Sequence, residues 1–299
     1  MAVRQVLTGV VVVASVIAAA LVALLGIAFL RQESLIYFPG RQVRFTPADL
    51  GMAFEDVRLK TADGVTLVAW WIPAPSSRGA LIFCHGNAGT MGDRIGKIRL
   101  FHDLGLSVLA YDYRGYGASQ GTPTEEGTAR DMDAAVADVR DVRGIAVDRT
   151  VFYGESLGGA VAIEAAIRVP PAALVAESTF TSARDMARRH YPFVPSGLVR
   201  VGYDSLSRVR RLACPKLFLH GPVDTIVPFE MGEALFRAAS EPKRLATLVG
   251  DHNSGGILES PDACQTLAEF LDAALGVAPA GSTREQRGPT IPAPAPNRP

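Results

Sequence analysis

Three residues, far apart in the chain, have the types that acyl transfer through a covalent serine intermediate needs. A serine hydroxyl is a poor nucleophile until a base takes its proton and an acid holds that base in the right tautomer. Ser156 lies in Gly154-Glu155-Ser156-Leu157-Gly158, a Gly-x-Ser-x-Gly pattern. Apolar Val151-Phe152-Tyr153 precedes it and small residues follow (Ala160, Ala162, Ala165, Ala166), so the stretch reads as strand, sharp turn and helix. A serine at the apex of such a turn needs neighbours without bulk, and the helix amino end points free N–H groups at developing negative charge. The five histidines sort by context. His102 falls in a helix and His190 in a basic segment further on, while His85 and His220 precede glycines in turns and read as structural. His252, in Gly250-Asp251-His252-Asn253, is the base this leaves, and Asp224, in a Pro-flanked loop after the preceding strand, is the acid. Glu177 is a rival acid; Asp251, adjacent to His252, would meet the ring at an awkward angle. The N–H groups of Leu157 and of Asn87 are the expected oxyanion donors.

The elements that must position these residues follow from hydrophobic patterning. Residues 53–59 and 65–72 read as a hairpin around Ala62-Asp63-Gly64, with Trp70 and Trp71 on opposite faces. Continuous apolar runs at 80–84, 107–111, 151–153, 173–176, 216–219 and 245–249 read as strands buried on both faces. Helical spacing lies between them, at 95–104, 124–139, 229–239 and 261–275. Strands and helices alternating in this way form a mostly parallel sheet of eight strands with helices on both faces. In such sheets ligands sit beyond the carboxyl ends of the strands, where the loops bearing Asn87, Ser156, Asp224 and His252 all fall. The loop Asp112–Ser119 reads as a hydrogen-bonded turn, with Tyr113 or Tyr116 as pocket-lining residues. Residues 179–212 are too long for a simple connection and read as a small helical cap. The cap carries Arg184, Arg188, Arg189, Arg200, Arg208, Arg210 and Arg211 against Asp185 and Asp204, either a solvated face or an attraction for anionic headgroups or substrate.

A chain of 299 residues that is 48% apolar and 20% charged has enough material for a large core and is not disordered overall. Its formal charge of zero gives no argument for a nucleic-acid partner, and Cys84, Cys214 and Cys264 are too scattered for a zinc site or a disulfide framework. Val6 to Leu30 contains no charged residue, long enough to span a bilayer and longer than the apolar core of a signal peptide. The expected organisation is an anchor at 1–31, a tether at 32–50, a catalytic domain at 51–276 and a disordered Pro/Ala-rich tail at 277–299. Leu35-Ile36-Tyr37-Phe38-Pro39 in the tether is suited either to the membrane interface or to packing on the domain. Arg4 upstream and Arg31, Arg41 and Arg44 downstream leave the positive-inside rule balanced between the two orientations; an extracytoplasmic domain is the expectation. Nothing in the sequence speaks to oligomeric state.

Taken together, His85-Gly86-Asn87-Ala88-Gly89, Asp112-Tyr113-Arg114-Gly115-Tyr116-Gly117, the Ser156 elbow, Glu177-Ser178-Thr179-Phe180, His220-Gly221 with Asp224, and Gly250-Asp251-His252-Asn253 resemble the α/β-hydrolase-fold serine hydrolases. The chain is similar to their membrane-anchored branch with one amino-terminal transmembrane segment. That resemblance implies an α/β-hydrolase fold and transfer of an acyl group to water without metal or cofactor. Carboxylic esters and thioesters, of lipids or acylated proteins, are the expected substrates. A peptidase or amidase on the same residues, or a membrane-tethered scaffold that binds a partner through the basic cap, are the alternatives.

Overall fold

The computed structural model describes residues 1–254 and 256–276; the tail at 277–299 lies outside the described residues. Eight strands form one sheet: β1 (Glu55–Lys60), β2 (Thr66–Ile72), β3 (Ala80–Cys84), β4 (Ser107–Tyr111), β5 (Thr150–Glu155), β6 (Ala173–Glu177), β7 (Lys216–His220) and β8 (Lys243–Thr247). Their order is β8-β7-β6-β5-β3-β4-β2-β1. β2 runs antiparallel to both its neighbours, β1 and β4, and the six strands from β8 to β4 in that order pair in parallel. β3, β4, β6 and β7 are buried at every position, as strands covered on both faces must be.

Two hydrophobic layers seal the sheet. On one face lie α3 (Glu125–Ala137), α4 (Leu157–Arg168) and α7 (Phe229–Ala238); on the other lie α2 (Ile95–Asp103) and α8 (Pro261–Leu275). Successive residues of β3 alternate between the layers, Ile82 and Cys84 to the first, Leu81 and Phe83 to the second. Trp71 and Trp70 divide in the same way, as expected. Thr124 caps α3 by accepting from Gly127 N–H, with Glu125 and Glu126 in the first turn, where the helix dipole favours acids. The last strand begins and ends two residues earlier than its apolar run, because its register is set by β7, with Lys243 opposite Lys216 and Thr247 opposite His220. Val249 lies beyond it, exposed, in an isolated bridge to Gly256.

The amino end is a 29-residue helix, α1 (Ala2–Leu30), whose apolar side chains Val6, Leu7, Val16, Val22 and Leu24 are exposed. The segment that follows packs on the domain through Tyr37, which is buried with its hydroxyl 2.8 Å from that of Tyr203, and leaves Leu35 and Phe38 in the open. Phe38–Pro39 then pairs in parallel with Ala88–Gly89. The segment 179–212 is helical only in part: α5 (Ala183–His190), a single 3-10 turn at Ser196–Leu198, and α6 (Ser205–Val209). Pro192 and Pro195 interrupt it. Gln32 joins the foot of α1 to this cap, donating to Leu198 O (2.5 Å) and accepting from Arg200 N–H (2.8 Å). Arg200 also donates to Phe29 O at 3.0 Å, and its guanidinium sits 4.7 Å from the Phe29 ring centre.

Candidate active site

β5 ends at Glu155, and the chain turns into α4 through Ser156, which has φ +53° and ψ −113°. A side chain in that region costs about 1–3 kcal/mol and persists only where surroundings impose it. Here Ser156 N–H donates to Glu177 O (2.8 Å) and Thr179 Oγ1 donates to Ser156 O (2.7 Å). The flanking glycines are required by close approach. A Cβ on Gly154 would collide with Gly158 O, and one on Gly158 would collide with Cys84 O. The second contact also presses the start of α4 onto the end of β3, where the His85–Gly89 loop begins.

The structure brings the three expected residues into one chain of hydrogen bonds. Ser156 Oγ is 3.1 Å from His252 Nε2, and His252 Nδ1 is 2.7 Å from Asp224 Oδ2. With Asp224 ionised, Nδ1 carries the proton and Nε2 is free to accept. Asp224 is held from several sides: Oδ1 accepts from the N–H groups of Ile226 (3.0 Å) and Val227 (2.7 Å), and His220 Nε2 lies 3.5 Å from Oδ2. Burial opposes its ionisation, but hydrogen bonds from His220, His252 and Val227 outweigh it and hold the carboxyl below the ordinary aspartate range. His220 is buried and in contact with Val227 O at 2.9 Å, as a structural histidine should be. The rival acids are occupied elsewhere. Glu177 bonds to Lys97 and Tyr153, and Asp251 accepts from Thr225 N–H and from the N–H of His252.

Among the described residues, neither Leu157 N–H nor Asn87 N–H donates to a protein acceptor. The Asn87 carbonyl accepts from Phe38 N–H (2.9 Å) and from Tyr116 Oη (2.7 Å), and its side-chain Nδ2 donates to Ile36 O (2.8 Å). Tyr113 Oη donates to His85 O at 3.0 Å. Tyr113 and Tyr116 are therefore not pocket-lining residues; both are buried under the loop and brace it. The Asp112–Ser119 turn is the hydrogen-bonded structure expected, with Asp112 accepting from Met91 N–H and Arg114 bonded to Asp131 and Asp63.

One group of residues has no signal in the sequence. Lys97 Nζ lies 2.7 Å from both Glu155 and Glu177, Arg94 Nε lies 3.0 Å from Glu155, and Tyr153 Oη donates to Glu177 at 2.6 Å. Arg94, Lys97, Glu155 and Glu177, with Asp224 and His252, line a cavity of about 210 Å³. Burial works against the charge on Glu155, yet Lys97 and Arg94 overcome it and bring its pKa down to about 2. Burial likewise works against Lys97, and the two glutamates hold its pKa above the ordinary lysine value. The cluster ties α2 to the end of β5, which leads into the elbow, and to the end of its neighbour β6. Its ion pairs join residues 58 to 80 positions apart, a separation that no local pattern bridges.

The strand order, the elbow and the converging loops define an α/β-hydrolase. A family model described as serine aminopeptidase, S33, matches residues 75–196. The protein bem46 of Schizosaccharomyces pombe is 34% identical over 237 residues, covering 74% of this chain and 79% of that one. The α/β-hydrolase domain-containing protein WAV2 of Arabidopsis thaliana is 36% identical over 234 residues, covering 70% and 76%. A Pyrococcus furiosus esterase superposes with a TM-score of 0.67 at 25% identity, over 80% of this chain and all of that one. The chain belongs to the α/β-hydrolase family that includes bem46 and WAV2, and is a hydrolase.

Proposed function

We propose that this hydrolase is a membrane-anchored serine enzyme that cleaves carboxylic esters or thioesters through an acyl-serine. The observation that carries the reading is the Ser156–His252–Asp224 chain at 3.1 and 2.7 Å. As Ser156 Oγ attacks the acyl carbon, its proton passes to His252 Nε2, and the ionised Asp224 steadies the imidazolium through Nδ1–H. The oxygen that gains charge accepts from the N–H groups of Leu157 and Asn87. The tetrahedral adduct collapses as His252 hands its proton to the departing alkoxide or thiolate. Water then attacks the acyl-serine with His252 again as base, releasing the acid and restoring Ser156. A fluorophosphonate probe should label the wild type and leave Ser156→Ala unlabelled; labelling elsewhere takes Ser156 out of the mechanism. Turnover of 4-nitrophenyl esters of increasing chain length reports activity and pocket depth together, and no turnover by a folded, unlabelled protein favours the scaffold alternative.

The description of the matching family model favours an amide as the second reading. Hydrolysis of an aminoacyl 4-nitroanilide faster than of the matched ester decides for it. Support for the anchor comes from α1, a helix with an uncharged apolar core and exposed side chains, whose 29 residues extend about 44 Å, more than a hydrocarbon layer of about 30 Å. We place the domain on the extracytoplasmic side. Protease digestion of intact spheroplasts should then remove it, and protection of the domain there reverses the assignment.

A further inference from the structure

The tether does more than connect. After pairing with Ala88–Gly89 it is clamped at Gly40, whose N–H donates to Gly89 O (2.9 Å) and whose carbonyl accepts from Gly117 N–H (2.8 Å). Further along it is pinned again, where the Phe45 carbonyl and the Val43 side chain close over Gly92 so tightly that a Cβ there would lie 2.5 Å from Phe45 O. The strap carries Arg41 just after the first clamp and Arg44 within the second, both exposed and, among the described residues, without a side-chain hydrogen bond or ion pair. They line a cavity of about 610 Å³ whose wall also includes Ala88 and Gly89, next to Asn87, and Asn253, next to His252. Arg94, Asp93 and Asn253 border both this cavity and the smaller one at His252, so the two adjoin.

The charge in that space is one-sided. Arg41, Arg44 and Arg94 stand against a single acid, Asp93, which accepts from the N–H (2.8 Å) and hydroxyl (3.2 Å) of Thr90. Arg94 is partly neutralised through its Nε on Glu155, which leaves the two strap arginines as the unspent cations. Guanidinium groups match phosphate and carboxylate oxygens in a planar fork. We propose that the strap forms an anion subsite for the substrate, and that the enzyme prefers acyl compounds carrying a phosphate or carboxylate group beyond the scissile bond. This rests on the ester-hydrolase reading.

The test uses the full chain in detergent and two matched substrate pairs. One is 4-nitrophenyl butyrate against 4-nitrophenyl hemisuccinate; the other is dihexanoylglycerol against dihexanoylphosphatidylglycerol. The readout is the ratio of kcat/KM within each pair. We expect the anionic member to lead by about tenfold, the ratio to fall to parity in Arg41→Ala/Arg44→Ala, and most of it to return in Arg41→Lys/Arg44→Lys. A preference in the soluble pair assigns a small anion, and one confined to the lipid pair assigns a headgroup. Equal rates within both pairs, or a preference that survives the double alanine variant, overturn the subsite. If wild type turns over none of the four, the hydrolase reading has failed instead, and the subsite is judged by calorimetric titration with phenyl phosphate. Binding lost in the double variant then upholds it, and absent or unchanged binding overturns it.

Discussion

Two histidine–aspartate pairs stand at the carboxyl edge of the sheet, made of the same residue types on neighbouring loops. His252 and Asp224 meet at 2.7 Å, and the far side of the ring reaches Ser156. His85 and Asp112 approach at 3.4 Å with neither side chain accessible, and the His85 ring is packed 4.5 and 5.2 Å from the rings of Tyr113 and Tyr116. Chemistry here is decided by what the second ring nitrogen faces. In the first pair it faces a serine hydroxyl held in a strained turn. In the second, the Nδ1 of His85 is turned back on Gly86 O at 2.7 Å and the pair becomes a support under the loop of the proposed oxyanion donor Asn87. Asp112 completes that support by accepting from Met91 N–H at 2.7 Å.

The largest effects should separate the pairs by kind. Ser156→Ala should cut kcat by about six orders of magnitude, by analogy with serine proteases, while circular dichroism stays native. Asp224→Asn should cost about four orders, since the ring then loses its tautomer control. Its melting temperature should stay close to wild type, because an amide oxygen can still accept from Ile226 and Val227. Asp112→Ala should do the reverse. It leaves a buried Met91 N–H without a partner, at about 1–3 kcal/mol of stability measured by urea unfolding, with the activity of the remaining folded enzyme within a few fold. If Asp112→Ala matched Asp224→Asn in lost kcat at full stability, the distinction between the pairs would be gone.

Stability at low pH sharpens a neighbouring contrast, between Asp224, the proposed acid of the triad, and Glu155, whose ion-pair cluster ties α2 to the ends of β5 and β6. Glu155 has a folded pKa of about 2 against an ordinary value of 4.5. A depressed carboxylate contributes stability that is complete above the unfolded value and is lost as pH falls through the folded one. Between about pH 4.5 and 2 the protein should therefore weaken, followed by the fluorescence of buried Trp70 and Trp71. Glu155→Gln should be less stable at pH 7 and show a flatter acid limb. An unchanged acid limb would mean that Lys97 and Arg94 do not hold the glutamate ionised.

The elbow, His252 and Asp224 are legible in the sequence because each sits in a short loop after an apolar strand, and because strand–helix alternation fixes which loops share an edge. Trp70 and Trp71 are legible for the same reason, by the two-residue period of a strand. The Lys97–Glu155–Glu177–Arg94 cluster is not, since ion pairs between distant residues leave no local trace. Tyr113 or Tyr116 is expected to line the pocket, and both stand beneath the loop instead, because an aromatic in a glycine-rich turn looks the same from sequence whether it faces a ligand or the underside of a loop. The cap is less helical than its sequence suggests. Its arginines are visible there, but not that Arg208 is bound to Glu125 and Glu164, and Arg200 to the foot of α1.

The smallest predicted effect tests how far the supporting pair reaches into the chemistry. Tyr116 Oη donates to Asn87 O at 2.7 Å, so it fixes the residue whose N–H is the proposed oxyanion donor. Tyr116→Phe removes that bond without changing the packing of the ring. A neutral hydrogen bond is worth about 0.5–1.5 kcal/mol, and any part of that felt in the transition state appears as a fall in kcat of up to about tenfold. Because the loop is also held by Phe38 N–H on the same carbonyl, KM should stay near wild type. Phenylalanine at Tyr113, whose hydroxyl bonds His85 O two residues earlier, is the control and should change kcat less. If the two variants lose kcat equally, the support acts on the loop as a whole. If only Tyr116→Phe does, the effect runs through Asn87.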